Sequence, residues 1–461
     1  MKFRFSGKDT APLIIFSAVA LLAHVPRASA GQAQAAAVVL EGARLIDGTG
    51  RPPIERSVLV IEDDTVRAAG AKDSIHVPKG VRVLNLSGKT IVPALIDLHC
   101  HLALTRDGLT QSGDNYTREN IAAQLQKFLN YGIGTVVSLG TDQDLIYELR
   151  EAKRAGRQPG ARLYTAGRGF GVPGGYPPAL ANAQDRYRPE TAEQARAQVR
   201  ELAVQHPDFV KIWVDDNFGR VPKMKPEIYR AIICEAHRQG LRVIAHVFYL
   251  ADAQALVDAG VDGLGHSIRD QPVSARLIAV MKAHGVIYIP TLVREESSFA
   301  FGLTNGPAWR DDPYFQRSLA PGVLRTLESP AFVQKARSNP DLPKLRAAFD
   351  MAEKNLKTMF ESGAKVAFGT DAGPPLRFQG YLEHRELQLM VESGLSPLEV
   401  LVCATHNSAE ALGQGAKLGT LEPGKYADFL VLDSNPLDDI RNTEKLSAVW
   451  QAGKPVQINS R

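Results

Sequence analysis

The side chains best able to do chemistry in this chain are four histidines, a lysine and an aspartate, met in the order His99 and His101, Lys211, His246, His266 and Asp371. Each stands at or near the end of a short apolar run. Imidazole, carboxylate and a chemically altered amine are donors for borderline cations such as Zn²⁺, so the series spells a metal centre. In TIVPALIDLHCHL (90–102) an apolar run of the kind a buried parallel strand shows ends in His-Cys-His. Alternate side chains on a strand share a face, which turns His99 and His101 together and Cys100 away. Such a pair can bind one cation; two packed or hydrogen-bonded histidines at a strand end are the plainer alternative.

Lys211 narrows the choice, because it lies in DFVKIWVDD (208–216) between Phe209, Val210, Ile212 and Trp213. Burying an ammonium costs several kcal/mol unless it is paired, loses its proton or is chemically changed. Carboxylation by CO₂ is one resolution, giving a carbamate whose two oxygens can bridge two metal ions. The other is a lysine emerging at the strand end to pair with Asp215 or Asp216. His246 closes LRVIAHVF, His266 closes GVDGLGHS and Asp371 closes AKVAFGTDAG. Singly each reads as a satisfied histidine or a helix-capping aspartate; in succession, after the earlier pair and the lysine, they do not read as independent accidents.

On these residues the chain resembles the amidohydrolase superfamily, in its imidazolonepropionase-like and prolidase-like branch. LGTLEPGKYADFLVLDSNPL (418–437) is similar to that family's C-terminal segment, so the likeness spans nearly the whole mature chain. The resemblance implies His99, His101 and Asp371 as ligands of a more buried metal, His246 and His266 as ligands of a second, and a carboxylated Lys211 bridging them. It thus implies two divalent ions, with zinc expected, and a CO₂-derived carbamate on Lys211.

Two cations ~3.5–4 Å apart lower the pKa of a bridging water, and the resulting hydroxide is the expected nucleophile. Asp371 is expected to take its proton and later to deliver one to the departing nitrogen, and a second metal would polarise the scissile carbonyl. The expected activity is hydrolysis of an amide or peptide-like C–N bond in a small substrate, an N-acyl amino acid or a dipeptide. Ester, lactone, carbamate or phosphotriester hydrolysis at the same site is the alternative. Lys211 speaks against mononuclear attack on a cyclic amidine or imide, and Asp371 beside five metal ligands speaks against a non-catalytic metal-dependent binding protein.

The elements that must position these residues alternate in type. The helix pattern TRENIAAQLQKFLNYG (117–132) opens on a Thr cap with Glu119 and Asn120 in its first turn. Strand and helix patterns then succeed one another up to VIYIPTLV and, after a long excursion, the strand ending at Asp371. Eight strands separated by helices predict an α/β fold, a parallel (β/α)₈ TIM barrel over 91–414 with an insertion at 294–350, and barrel chemistry sits at C-terminal strand ends. The β-rich stretches 31–90 and 415–461 predict one small β-sandwich domain built from both chain ends, as in the family.

Where that branch often carries a second histidine shortly after the fifth-strand ligand, this chain has HVFYL. Tyr249 either hydrogen-bonds the tetrahedral intermediate in its place or packs on the barrel rim. Lys211 is followed by Trp-Val-Asp-Asp rather than a small Gly-containing segment, so no particular dipeptide specificity carries over. Phe299, Phe301, Trp309, Tyr314, Phe315 and Phe332 in the insertion form either an apolar wall of the substrate pocket or the insertion's own core or a subunit contact. Arg294 and Arg269, each just past a barrel strand, are clamps for a substrate carboxylate or else salt-bridge arginines. The Gly/Pro/Tyr-rich loop 167–189 lacks the Lys-Ser or Lys-Thr helix start of a phosphate loop. His384 is a pocket-edge or structural histidine.

The N-terminus combines basic residues, an apolar core from Ala11 to Val25 and Ala28-Ser29-Ala30, the shape of a secretory signal over 1–30 with cleavage after Ala30. It predicts an exported, periplasmic or secreted enzyme with no stable membrane span once cleaved. About 430 residues then remain, enough for a ~250-residue barrel and an accessory domain. The formal charge is +4, of which the first thirty residues carry +3, so no basic footprint for nucleic acid is left. The partner expected is a small-molecule substrate, with a homo-oligomer left open. The three cysteines, Cys100, Cys234 and Cys403, read as small buried apolar residues without disulfides.

Overall fold

The computed structural model describes residues 37–77, 80–180, 184 and 186–458; the expected signal segment 1–30 lies outside the described residues. Strands Leu95–Cys100, Ile133–Ser138 and Arg162–Thr165 pair in parallel as one sheet. Val210–Val214, Val243–Val247, Gly263–Leu264, Ile287–Tyr288 and Lys365–Val366 pair in parallel in a second, with the short strands Gly169–Phe170 and Arg186–Tyr187 at its edge. Backbone bonds join the two sheets at both seams. Asp208 N–H donates to Thr165 O at 2.8 Å, and Leu98 N–H donates to Phe368 O at 3.0 Å. The arrangement is TIM-barrel-like, with helices between successive strands.

Leu95–Cys100, Ile133–Ser138, Val210–Val214 and Val243–Val247 are buried along their whole length, as strands covered by helices must be. Helix Arg118–Asn130 begins where expected, with Asn120 N–H donating to Thr117 Oγ1 at 3.2 Å. Two expectations need correction. The run 90–102 is two strands: Thr90–Pro93 lies antiparallel to Phe429–Leu432, and Leu95–Cys100 enters the barrel. Ala94 marks the turn between them, its N–H donating to Asp428 O. The end sheet therefore reaches past the expected boundary at 90. VIYIPTLV is a strand only at Ile287–Tyr288; Pro290 offers no N–H to a ladder and Thr291 is left-handed, so helix Leu292–Phe299 starts there.

Both chain ends supply two further sheets. Thr65–Ala71, Ser57–Glu62, Ala37–Glu41 and Arg82–Asn85 form one, and Lys454–Val456, Leu446–Gln451, Phe429–Leu432, Thr90–Pro93 and Arg44–Leu45 the other. One apolar cluster joins them, with Leu40, Leu59 and Ile61 from the first packed with Ile91, Phe429 and Trp450 from the second. Phe429 and Trp450 stack with ring centroids 5.3 Å apart. The three cysteines are free, as expected, but Cys234 is exposed on helix Pro226–Arg238 rather than buried. Among the described residues no helix is long and apolar enough to cross a membrane.

Phe429 is fully buried at the centre of this shared cluster. Phe429→Ala is expected to cost about 3–5 kcal/mol of stability, seen as a lower urea midpoint; an unchanged midpoint removes the cluster as a stabilising element.

Candidate metal centre

The six expected ligands meet at one end of the parallel strands. His99, His101, Lys211, His246, His266 and Asp371 are all buried, and the rings lie close: His246 to His266 at 4.3 Å between centroids, His99 to His266 at 4.6 Å and His99 to His101 at 5.5 Å. Ligand atoms of His99, His266 and Asp371 fall within 4.8 Å of one another. Lys211 Nζ is 3.3 Å from His99 Nε2, and Asp371 Oδ1 is 2.8 Å from His101 Nε2.

Three of the imidazoles are anchored from behind. His101 Nδ1 meets Thr141 Oγ1, His266 Nδ1 meets Thr291 Oγ1 and His246 Nε2 meets Asp215 Oδ2, each at 2.7 Å. A partner on one ring nitrogen fixes the orientation of the other, and outer partners of this kind are characteristic of metal-ligating histidines. His99 Nδ1, by contrast, is buried without a hydrogen-bond partner. Buried polar atoms are otherwise nearly always satisfied.

Electrostatics favours neutral donors. Burial pulls His246 down to about 4 against the opposing pull of Asp215. Burial likewise holds His99, His101 and His266 below the ordinary imidazole range. Burial lowers Lys211 to about 7, opposed by Asp371 and reinforced by Arg294. Burial resists ionisation of Asp371, but Arg377, followed by His101 and His99, holds its carboxyl well below the usual range.

Local backbone makes room for this crowding. Gly140 has φ +93°, and a Cβ there would lie 2.5 Å from Lys211 Cγ. At Gly373, φ +119°, a Cβ would lie 2.1 Å from His101 O. Thr291, a β-branched residue at φ 52°, carries the hydroxyl that holds His266. Left-handed β-branched residues are outliers that persist where surrounding structure over-determines them.

The remaining sequence expectations divide. Arg294 is at the centre: its Nη1 donates to Glu295 Oε1 at 2.6 Å, its Nη2 to Tyr176 OH at 3.3 Å, and its Nε lies 3.4 Å from Asp371 Oδ2. Arg269 does not face the cleft. Its Nη1 donates to Val247 O and Ser267 O, and its Nε lies 3.2 Å from Glu295, so backbone carbonyls and a buried carboxylate occupy it. Tyr249 lies outside the cleft lining, its OH donating to Asp216 and Lys223 resting over its ring. Asp215 pairs with His246, not with Lys211. His384 is structural, with Thr443 on Nδ1 and Tyr131 O on Nε2.

None of the six insertion aromatics lines the cleft beside the histidines. Phe299 packs on Phe349, and Trp309 and Phe315 pack on each other and on Tyr381, giving the insertion a core of its own. The cleft wall comes instead from Tyr176, Pro177, Trp213, Leu104, Pro375 and Arg377. Arg377, 2.5 Å from Asp371 Oδ2, was not foreseen; it sits in a proline-rich turn with no periodicity to place it. Thr141, Thr291 and Asp215 carried a usable signal, since each is a polar residue just past an apolar strand run, as the ligands are.

A family model described as "Amidohydrolase family" matches residues 90–457. Ochratoxinase of Aspergillus niger is 27% identical over 471 residues, covering 93% of this chain and 88% of that protein. Imidazolonepropionase of Geobacillus sp. (strain WCH70) is 23% identical over 406 residues, covering 82% of this chain and 84% of that protein. Among solved structures, a Xaa-Pro dipeptidase with bound methionine superposes with a TM-score of 0.72 at 23% identity, covering 91% of this chain and 100% of that one, and so shares the fold. With the family match running through all six of the expected ligand positions, the chain belongs to the amidohydrolase family of hydrolases.

Proposed function

We propose that this chain is an exported, metal-dependent hydrolase that cleaves an amide or peptide-like C–N bond in a small substrate, an N-acyl amino acid or a dipeptide. The observation that carries the reading is the buried convergence of four imidazoles, Lys211 and Asp371, three of the rings held by an outer partner. The donor set fits two divalent cations, zinc being the natural choice for imidazole and carboxylate. His99, His101 and Asp371 would hold one, His246 and His266 the other, with Lys211 carboxylated between them. A neutral amine is the form that CO₂ carboxylates, and burial brings Lys211 to about 7. When bound, the cations lower the pKa of water and polarise a carbonyl.

The chain's own residues do the rest. Asp371 Oδ2 is engaged by Arg377, while Oδ1 faces His101 at the cleft. Asp371 can therefore accept a proton there and return it to the leaving nitrogen. Thr141, Thr291 and Asp215 keep the imidazoles aimed, and Tyr176 and Trp213 narrow the cleft against water. The relatives' names, an ochratoxinase and an imidazolonepropionase, are those of hydrolases acting on C–N bonds, which supports a bond of that class as the target.

The purified mature enzyme is expected to hold two equivalents of divalent metal, with the mass of one CO₂ on the Lys211 peptide under non-acidic conditions; one equivalent and no adduct would overturn the bridged site. Asp371→Asn should lower kcat by about 10²–10⁴, and a fully active variant rejects Asp371 as the base. Asp215→Asn, which weakens the hold on His246, should lower metal affinity 10–100-fold in a chelator competition. In a panel of N-acyl amino acids, dipeptides, lactones and carbamates, the first two classes should lead in kcat/KM. Faster turnover of lactones or carbamates reassigns the bond.

A further inference from the structure

The cleft beside the histidines encloses only about 190 Å³, below the roughly 300–1,000 Å³ of ordinary ligand pockets. Behind one of its walls lies a second cavity of about 590 Å³. Pro375 lines both. The wall is made of two loops, around 104–111 and 373–377, laced together. Thr105 Oγ1 donates to Gly373 O at 3.0 Å, and Leu376 N–H donates to Gly108 O at 2.8 Å. Each loop presents residues to both sides: Leu104 and Pro374 face the metal cleft, Leu109 and Leu376 the second cavity.

The far side of the second cavity belongs to the insertion, through Phe299, Phe301, Phe332 and Leu342. Phe299 and Phe301 are buried beneath it, while Leu109, Phe332, Leu342 and Leu376 stay half-buried around it. An apolar cavity of this size, one residue from a catalytic cleft too small for a large substrate, is placed to take the part of the substrate that the cleft cannot hold.

We propose that this second cavity is an acyl subsite: the scissile bond lies at the metal cluster, and a long alkyl or aromatic acyl group passes over Pro375 to rest against Phe301, Phe332 and Leu376. The enzyme then prefers amino acids carrying a large apolar acyl group over acetylated ones or small dipeptides. This rests on the reading of the cleft as an amide-hydrolysing site, which the first arm of the test can check independently of the subsite.

Two measurements on the metal-loaded mature enzyme test it. In the first, kcat/KM is compared for N-octanoyl, N-phenylacetyl and N-acetyl forms of one amino acid. In the second, the affinities of octanoate, phenylacetate and acetate are measured by calorimetry, which needs no turnover. Each fully buried methylene is worth about fourfold, so octanoate is expected to bind at least tenfold tighter than acetate. The kcat/KM ratio of octanoyl to acetyl should exceed ten. Ala336 lines the second cavity, and Ala336→Phe, which puts a ring into it, should lower both ratios at least fivefold. Phe332→Ala, which widens it, should lower the phenylacetate advantage. Ratios near one in the unaltered enzyme, or ratios that neither variant changes, overturn the subsite. If the acids show the expected ratios and the variants reduce them while no N-acyl amino acid is cleaved, the subsite stands and the bond assignment fails.

Discussion

Everything around the centre answers to one constraint: an amine, four imidazoles and a carboxylate are held together at the buried floor of a cleft. Lys211 has no exposed surface, and its Nζ lies 3.3 Å from a histidine nitrogen, His99 Nε2. Full protonation of this set would place several like charges in a low-dielectric interior, which is far costlier than leaving them neutral. The imidazoles are accordingly held neutral and the amine is brought close to neutrality, which is the state that metal binding and carboxylation both require.

That constraint propagates outward in layers. Behind the imidazoles stand Thr141, Thr291 and Asp215; behind Asp371 stand Arg377 and Arg294, with Arg294 tied to Glu295, and Glu295 in turn to Arg269. The two arginines read as either substrate clamps or salt-bridge arginines are thus parts of a buried ion-pair network, one beside Asp371 and one a step removed. Leu292 and Val293 N–H groups donate to Glu386, which fixes the start of the helix carrying Arg294 and Glu295. Even the left-handed Thr291 belongs to this scheme, since its hydroxyl reaches His266 from the turn that ends the strand.

The convergence of the candidate ligands was legible because parallel barrel strands announce themselves as apolar runs and deliver their last residues to one end of the fold. Asp371, His246 and His266 need only that rule. The helix at 118–130 was legible through Thr117 and its first turn. Arg377, the cleft face of Tyr176 and the true partners of Arg269 and Tyr249 were not, because they depend on how loops far apart in sequence fold back over the strands. The aromatics of the insertion show the same limit: their abundance signalled an apolar cluster, but which of them face a cavity and which face each other is set by the packing of short helices against Phe349 and Tyr381.

From the sequence alone came the candidate ligands, the alternation of strands and helices that brings them together, and the family these imply, since each follows from local periodicity and from the chemistry of single residues. Tertiary structure alone decided the outer anchors of the histidines, the division of the first barrel strand into two elements, the inward burial of Arg269 and the two cavities that share Pro375. These are contacts between segments tens to hundreds of residues apart, and their energies come from packing and from the satisfaction of buried polar groups, which no short stretch of chain encodes by itself.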